Sequence, residues 1–467
     1  MEKPLMTTIT RFAPSPTGTL HIGGVRTALF NYVYAKQNEG LFLIRIEDTD
    51  LERSTKEFEK NILDSLNSLG LVPDNEPVHQ SERTDLYVAA TSEIINSGKA
   101  YYCNCSKERL DEMRTQQQKA GQKPQYDGRC RDLDLAKSND TVLRLKTPLS
   151  GQVTVNDLIR GDIVFDNTEL DDLILLRSDG TPTYHLCNVI DDFDQKVTTV
   201  IRGEDHISNT PRQIHIQQAL GYPALEYAHL PLVLGEDRKR LSKRHAATSL
   251  DEYQEMGYLN VSIINTLARL GWSRGESEVF NLDELIRDFD IKEVQKAGAV
   301  FDLTKLDWVN SQHLSHLSSS EFKDALIPFL DGEGFNYSDY SQLDELIEAM
   351  RSVKSNLNLI AKALKPYLES FDDYDEKAVK KFLIGSEEVL NHVKDLLENC
   401  DDWNESEIDQ GLSKIQENLE LPTPKMNQPI RIALTGSTQS PSLGLTIKLM
   451  GQNKSIDLIQ KAIRFLE

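Results

Sequence analysis

Fourteen residues near the amino terminus, Arg11 to Gly24 (R-F-A-P-S-P-T-G-T-L-H-I-G-G), constrain this chain more than any other stretch. A β-branched run, Thr7 to Thr10, precedes them. Val25, Ala28, Leu29, Tyr32, Val33 and Ala35 follow at helical spacing, so the segment reads strand, loop, helix. Two prolines and Gly18 keep the loop irregular. Gly23 and Gly24 remove side chains where the helix begins, which lets a phosphate approach backbone N–H groups, and His21 stands beside that approach. Next, Leu41 to Ile46 (L-F-L-I-R-I) reads as a mostly buried strand running into Glu47. Ser54 with Glu57 reads as a capping box for a helix bearing Phe58, Ile62, Leu66 and Leu69 on one face, with Gly70 as its stop. Strand, helix, strand, helix implies a parallel sheet with right-handed crossovers. Ligands of such sheets sit beyond the carboxyl ends of the strands, which puts the Arg11–Gly24 loop and Glu47 on one rim.

At 467 residues the chain exceeds a single typical domain and is long enough for about three. With 52 Lys and Arg against 74 Asp and Glu, the net charge is −22, so any nucleic-acid contact must use local basic faces. The amino terminus lacks the order of residues of a signal peptide, and no run approaches 18 apolar residues. The expectation is a soluble, cytoplasmic protein with no membrane partner.

From about Tyr101 to Asp179 the character changes to cysteines, a basic polar stretch and short apolar runs, Val142 to Leu145 and Leu173 to Leu176, as expected of a module inserted into the sheet domain. Cys103, Cys105 and Cys130 could give zinc three thiolates, with Asp132 as a carboxylate fourth. The plain alternative is three reduced thiols, some merely buried. Alternating α/β character resumes near Tyr184. Val197 to Ile201 reads as a strand, Thr210-Pro211 opens a helix ending at Gly221, and Leu230 to Leu234 is a last apolar run. Arg238 to Arg244 (R-K-R-L-S-K-R) then places five cations in seven residues just beyond a strand end, where a polyphosphate would sit. From about residue 318 the chain is helical and acidic, without repeats or a low-complexity linker.

A strand-loop-helix with H-I-G-G, joined to a distant L-S-K-R loop, resembles the nucleotide-binding core of class I aminoacyl-tRNA synthetases, and most closely the bacterial-type glutamyl-tRNA synthetase family. Further matching segments run through the chain in the family's order: R-I-E-D-T-D (45–50), C-N-C with C-R-D (103–105, 130–132), Y-H-L-C-N-V-I-D-D (184–192), I-R-G-E-D (201–205), R-L-S-K-R (240–244), V-F-D-L-T-K-L-D-W-V-N (300–310) and L-T-G-S (434–437).

The resemblance implies an α/β fold with a parallel-sheet, Rossmann-like catalytic domain carrying an inserted α+β acceptor-binding module, followed by an all-α anticodon-binding region. The expected boundaries are 1–100 and 184–235 for the catalytic halves, 101–183 for the insertion, 236–320 for a stem-contact region and 321–467 for the helical region. The implied activity is glutamate–tRNA ligation: ATP with Mg2+ activates L-glutamate to glutamyl-adenylate, and glutamate passes to the terminal ribose of tRNA(Glu). On the same resemblance His21, Gly23, Gly24, Arg240, Ser242 and Lys243 face ATP, with His21 and Lys243 catalytic. Arg11, Ala13, Ser15, Glu47, Tyr184, Asn188 and Arg202 hold glutamate.

Related members carry Zn2+ in the insertion, but the position of Asp132 is commonly histidine. Where the family usually begins its second signature with lysine, this chain has Arg240. RNA contact by the acidic helical region requires a local face of residues such as Arg351, Lys354, Lys362 and Lys365. A monomer is implied. Alternatives within the class are a form that also charges tRNA(Gln), or a glutaminyl-tRNA synthetase, although that relative's anticodon region is β-rich.

Overall fold

The computed structural model describes residues 7–50, 52–242, 249–371 and 374–467. The chain forms two compact units, Met1–Asp251 with Ile264–Asp302, and Glu252–Ile263 with Leu303–Glu467.

In the first unit the elements run β1 (Ile9–Phe12), α1 (Ile22–Gln37), β2 (Leu41–Ile46), α2 (Lys56–Ser68), β3 (Val78–His79), α3 (Thr84–Asn96), β4 (Ala100–Cys103), α4 (Lys107–Lys119), β5 (Val142–Leu145), β6 (Gln152–Asp157), β7 (Gly161–Asp166), β8 (Ile174–Leu176), α5 (Tyr184–Asp194), β9 (Thr199–Gly203), α6 (Thr210–Leu220) and β10 (Glu226–Leu230). Strand β1 pairs in parallel with β2, and β2 with β3. On the other side β10 lies between β9 and β6, parallel to both. The two halves meet where the Thr198 amide donates to the Ile9 carbonyl at 2.9 Å, beside β1. Strand order runs outward in both directions from that seam, and such a reversal opens a crevice at the carboxyl ends of β1 and β9.

The 101–183 segment divides. Strands β4, β5 and β8 form a separate antiparallel sheet whose Leu143, Leu145 and Leu175 pack with Tyr87 of α3 and Leu186 and Ile190 of α5. The β6–β7 hairpin instead extends the main sheet beside β10. The cap of α2 also differs from expectation by one residue. Thr55, in extended conformation, accepts from the Phe58 amide, while the Ser54 amide donates into the preceding turn at Asp50.

In the second unit, Ser318 and Glu321 form a reciprocal capping box that starts the helix Ser319–Glu333. Its Phe322, Leu326 and Leu330 enter a continuous apolar core with Ile360, Leu390, Ile430, Ile447 and Ile459 from later helices. Arg351 belongs to this packing and not to a free basic face. Its Nη1 donates to the Leu314 and Leu317 carbonyls and its Nη2 pairs with Glu348. Lys354 and Lys362 do line a shallow cavity of about 270 Å³. Among the described residues no helix is long and apolar enough to cross a membrane.

One glycine fixes how α1 returns to the sheet. A Cβ at Gly40 would lie 2.0 Å from the Thr8 carbonyl oxygen, which itself accepts from the Leu41 amide at 2.9 Å. The obstacle is backbone at the start of the sheet, so it has little room to give. Gly40→Ala should therefore destabilise the first unit by about 2 kcal/mol or more, read as a lowered thermal midpoint; an unchanged midpoint would contradict this packing.

Candidate active site

The crevice at the seam is a cleft of about 770 Å³. Arg11, Ala13, Ser15, Glu47, Tyr184, Asn188 and Arg202 all line it. So do His21, Gly23, Gly24, Arg240 and Ser242, while Lys243 lies outside the described residues. Residues separated by more than 200 positions in sequence thus share one cleft.

The polar floor is built around α5. Tyr184, Asn188 and Asp192 recur every four residues and so share one helical face. Asp192 is buried between two guanidiniums, accepting from Arg11 Nε at 2.9 Å and from Arg45 Nη1 at 2.6 Å. Burial opposes ionisation there, but the two cations outweigh it and hold the Asp192 carboxyl below its ordinary range. Asn188 bridges opposite charges: its Oδ1 lies 3.4 Å from Arg11 Nη2 and its Nδ2 donates to Glu47 at 2.8 Å. Burial lifts Glu47 above the usual carboxylate range, with Arg45 and Arg11 pulling the other way. Behind this floor Asp191 is fully buried and accepts from Gln80, Arg83 and Tyr87.

Arg202, at the end of β9, is 6% exposed and has no carboxylate within ion-pairing distance among the described residues. Its Nη2 donates to Thr210 Oγ1 and Gln213 Oε1, both at 2.8 Å, and its Nε faces His229 Nε2 at 3.3 Å. Every partner is neutral. The guanidinium therefore keeps an uncompensated positive charge at the cleft, and burial, which is the main cause, lowers its pKa.

At the other end of the cleft His21 caps α1. Its Nδ1 accepts from the Gly24 amide at 3.0 Å, so Nδ1 is unprotonated and the neutral ring carries its proton on Nε2. Desolvation by the surrounding walls, and then Arg240, hold the imidazole below its usual pKa. This cap changes the expected role of the glycine pair. The Gly24 amide is occupied by the His21 ring and carbonyl, and a Cβ on Gly23 would stand 3.1 Å from His21 Nδ1. The glycines seat the ring, and the ring presents Nε2–H as a donor. Arg240 is exposed and lies 3.8 Å from Asp205.

In the β4–β5–β8 region the sulfurs of Cys103, Cys105 and Cys130 lie within 4.8 Å of one another. Asp132 does not join them. The chain turns at residues 129–132, with the Arg131 amide bonded to the Gly128 carbonyl, and leaves Asp132 exposed. The oxygen that does stand among the thiols is Tyr126 Oη, 3.3 Å from Cys103 Sγ and 3.8 Å from Cys105 Sγ. Burial would raise the Cys103 thiol, but hydrogen bonds from Tyr126 and Arg144 bring it down to about 7. Cys187 and Cys400 lie apart from this group.

Residues 7–308 match the family described as tRNA synthetases class I (E and Q), catalytic domain, and residues 321–463 match the anticodon binding domain. This chain belongs to the class I tRNA synthetases of the E and Q group. Among curated proteins it is 42% identical to glutamate–tRNA ligase 2 of Halorhodospira halophila and 43% identical to glutamate–tRNA ligase 1 of Alkalilimnicola ehrlichii, each alignment covering 98% of both chains. Among solved structures it is similar to a glutamate tRNA ligase from Elizabethkingia meningosepticum in complex with its amino acid. That similarity has a TM-score of 0.84 at 32% identity, over 99% of this synthetase and 100% of that chain. A glutamate–tRNA synthetase from Elizabethkingia anophelis gives a TM-score of 0.83 at 32% identity, over 98% and 100%.

The synthetase's histidines around Arg202 carry a pH dependence. His185 and His206 are both pushed down to about 4, by burial first and then by neighbouring guanidiniums, Arg212 and Arg202 at His185 and Arg202 at His206. Unfolded histidine titrates near 6.5, so the unfolded chain binds more protons between about pH 6.5 and 4. Their contribution is complete above about pH 6.5 and is lost progressively as pH falls toward 4. The thermal midpoint of His206→Gln should therefore fall less than the wild-type midpoint between pH 7.5 and 5; parallel curves would contradict this.

Proposed function

We propose that this synthetase is a glutamate–tRNA ligase, activating L-glutamate with ATP and transferring the glutamyl group to the 3′-terminal ribose of tRNA(Glu). The observation that carries this reading is the charge layout of the cleft: Arg202 without a carboxylate partner among the described residues, Arg11 with only part of its guanidinium on Asp192, and Glu47 beside them. A free amino acid with a second carboxylate presents two anions and one cation. Arg11 and Arg202 meet the anions, and Glu47, held by Asn188, meets the ammonium.

In the first step an oxygen of the glutamate α-carboxylate attacks the α-phosphorus of ATP, the bond to the β-phosphate breaks, and pyrophosphate leaves. The protein needs no nucleophile for this; it needs alignment and donors where negative charge grows. His21 Nε2–H is such a donor, Arg240 adds charge at the rim, and Lys243 takes its ATP-side role from the second signature. Magnesium arrives with ATP and neutralises phosphate charge. In the second step a ribose hydroxyl attacks the activated carbonyl carbon, the bond to AMP breaks, and the hydroxyl proton passes to the phosphate or to solvent.

The purified chain should charge tRNA(Glu) with glutamate in the presence of ATP and Mg2+. Arg11→Gln keeps a donor for Asp192 but removes the charge, so the KM for glutamate should rise on the order of a hundredfold with little change in the KM for ATP. An unchanged glutamate KM would remove Arg11 from the pocket.

We also propose that Cys103, Cys105 and Cys130 hold a structural zinc ion, a reading supported by their clustered sulfurs. Metal analysis of protein purified without added metal should find about one zinc per chain. Cys105→Ser should lose it and Asp132→Ala should keep it; metal-free protein of undiminished thermal stability would retire the site.

A further inference from the structure

Three residues cross the main sheet in a line that ends at Arg202. Asp157, at the end of β6, is buried, and its Oδ1 accepts the amides of Ile159 and Arg160 at 2.9 and 2.8 Å. Its Oδ2 accepts both the His229 amide at 3.0 Å and His229 Nδ1 at 2.6 Å. His229, on β10, is fully buried, and its Nε2 lies 3.3 Å from Arg202 Nε and 3.1 Å from Thr210 Oγ1. Three backbone amides converge on the Asp157 carboxylate and favour its ionised form, which requires a proton on the facing His229 Nδ1. A neutral ring protonated at Nδ1 has its lone pair on Nε2, facing the Arg202 Nε–H. Burial, the largest influence on His229, also favours the neutral ring.

We propose that His229 is a positioning residue for glutamate binding: its Nε2, kept unprotonated by Asp157, fixes the Arg202 guanidinium without neutralising it. A carboxylate in that place would orient Arg202 equally well but would cancel the charge that an anionic substrate group needs. A protonated histidine would repel it. A neutral acceptor whose tautomer is set from behind does neither. The same division of labour among Thr210, Gln213 and His229 leaves Arg202 Nη1 without a partner among the described residues, on a residue that lines the cleft. The proposal rests on reading Arg202 as a glutamate contact, and its test separates the two.

Two substitutions divide the histidine's functions. In His229→Gln the side-chain oxygen reaches the place of Nε2, keeping an acceptor for Arg202 while giving up the bond to Asp157. In His229→Asn the amide reaches the place of Nδ1, keeping Asp157 satisfied while removing the acceptor. Arg202→Gln serves as the reference. Steady-state aminoacylation with the full-length enzyme, tRNA(Glu), ATP and varied glutamate should show a glutamate KM raised roughly tenfold in His229→Asn. In His229→Gln it should stay within about twofold of wild type, with the KM for ATP unmoved in both, and Arg202→Gln should raise the glutamate KM at least as far as His229→Asn. A residue that merely anchors β6 to β10 through Asp157 predicts the reverse order, with Asn tolerated and Gln impaired. That reversal, or equal effects of the two substitutions, overturns the proposal while leaving Arg202 in its role. If Arg202→Gln itself leaves the glutamate KM unchanged, the reading of Arg202 has failed and the positioning role falls with it.

Discussion

One carboxylate, Asp192, is shared by Arg11 of β1 and Arg45 of β2, and the geometry of the cleft depends on that sharing. Arg45 is completely buried, so without Asp192 two like charges would stand close together in a region of low polarisability. Breaking such a pair by removing one partner costs about 3–5 kcal/mol, because the surviving charge stays buried. Helix α5 brings Asp192 to the adjacent strands, and the same helix carries Tyr184 and Asn188 into the cleft. The placement of one buried anion therefore also sets where the substrate-facing groups of α5 stand.

The surrounding charges are distributed unevenly. Asp191 is consumed by Arg83, Gln80 and Tyr87 behind the floor, and Asp192 by Arg11 and Arg45 within it. Arg202 is left with neutral acceptors, and Glu47 with an amide donor from Asn188 and a longer contact to Arg45 at 3.5 Å. What faces the cleft is a separated cation and anion pair, each held by neighbouring side chains: Arg202 by Thr210, Gln213 and His229, and Glu47 by Asn188. Such preorganisation suits a zwitterionic ligand, since few groups need to rearrange when it binds.

Much of this was legible in the sequence. The β1–α1–β2 unit follows from its apolar spacing and the glycine pair, and the cleft residues follow from motif order. The capping histidine was not legible as a cap, because His is a rare N-cap and its proximity to Gly24 depends on ring orientation. Asp192 carried a readable signal, its four-residue spacing from Asn188 and Tyr184, and Arg45 shares the strand face of Leu43 and Glu47. Asp157 and His229 gave none: each is an ordinary strand residue until β6 and β10 are paired in register. Asp132 misled because two residues after Cys130 looked like ligand spacing, whereas the turn that begins at Gly128 leaves Asp132 exposed and Tyr126 Oη stands among the thiols instead. The helical unit was legible as to type but not as to which lysines and arginines stay free, since Arg351 is committed to backbone carbonyls.

The cleft is built to read glutamate with two cations, Arg202 with no carboxylate partner among the described residues and Arg11 only partly engaged by Asp192. A crystal structure of this synthetase with L-glutamate bound tests this most directly. One ligand carboxylate should lie within hydrogen-bonding distance of Arg11 beside its retained Asp192 pair, the other anionic group on the side of Arg202, and the ammonium against Glu47. A ligand whose carboxylates touch neither guanidinium, or an Arg11 that abandons Asp192 to bind it, would contradict the account.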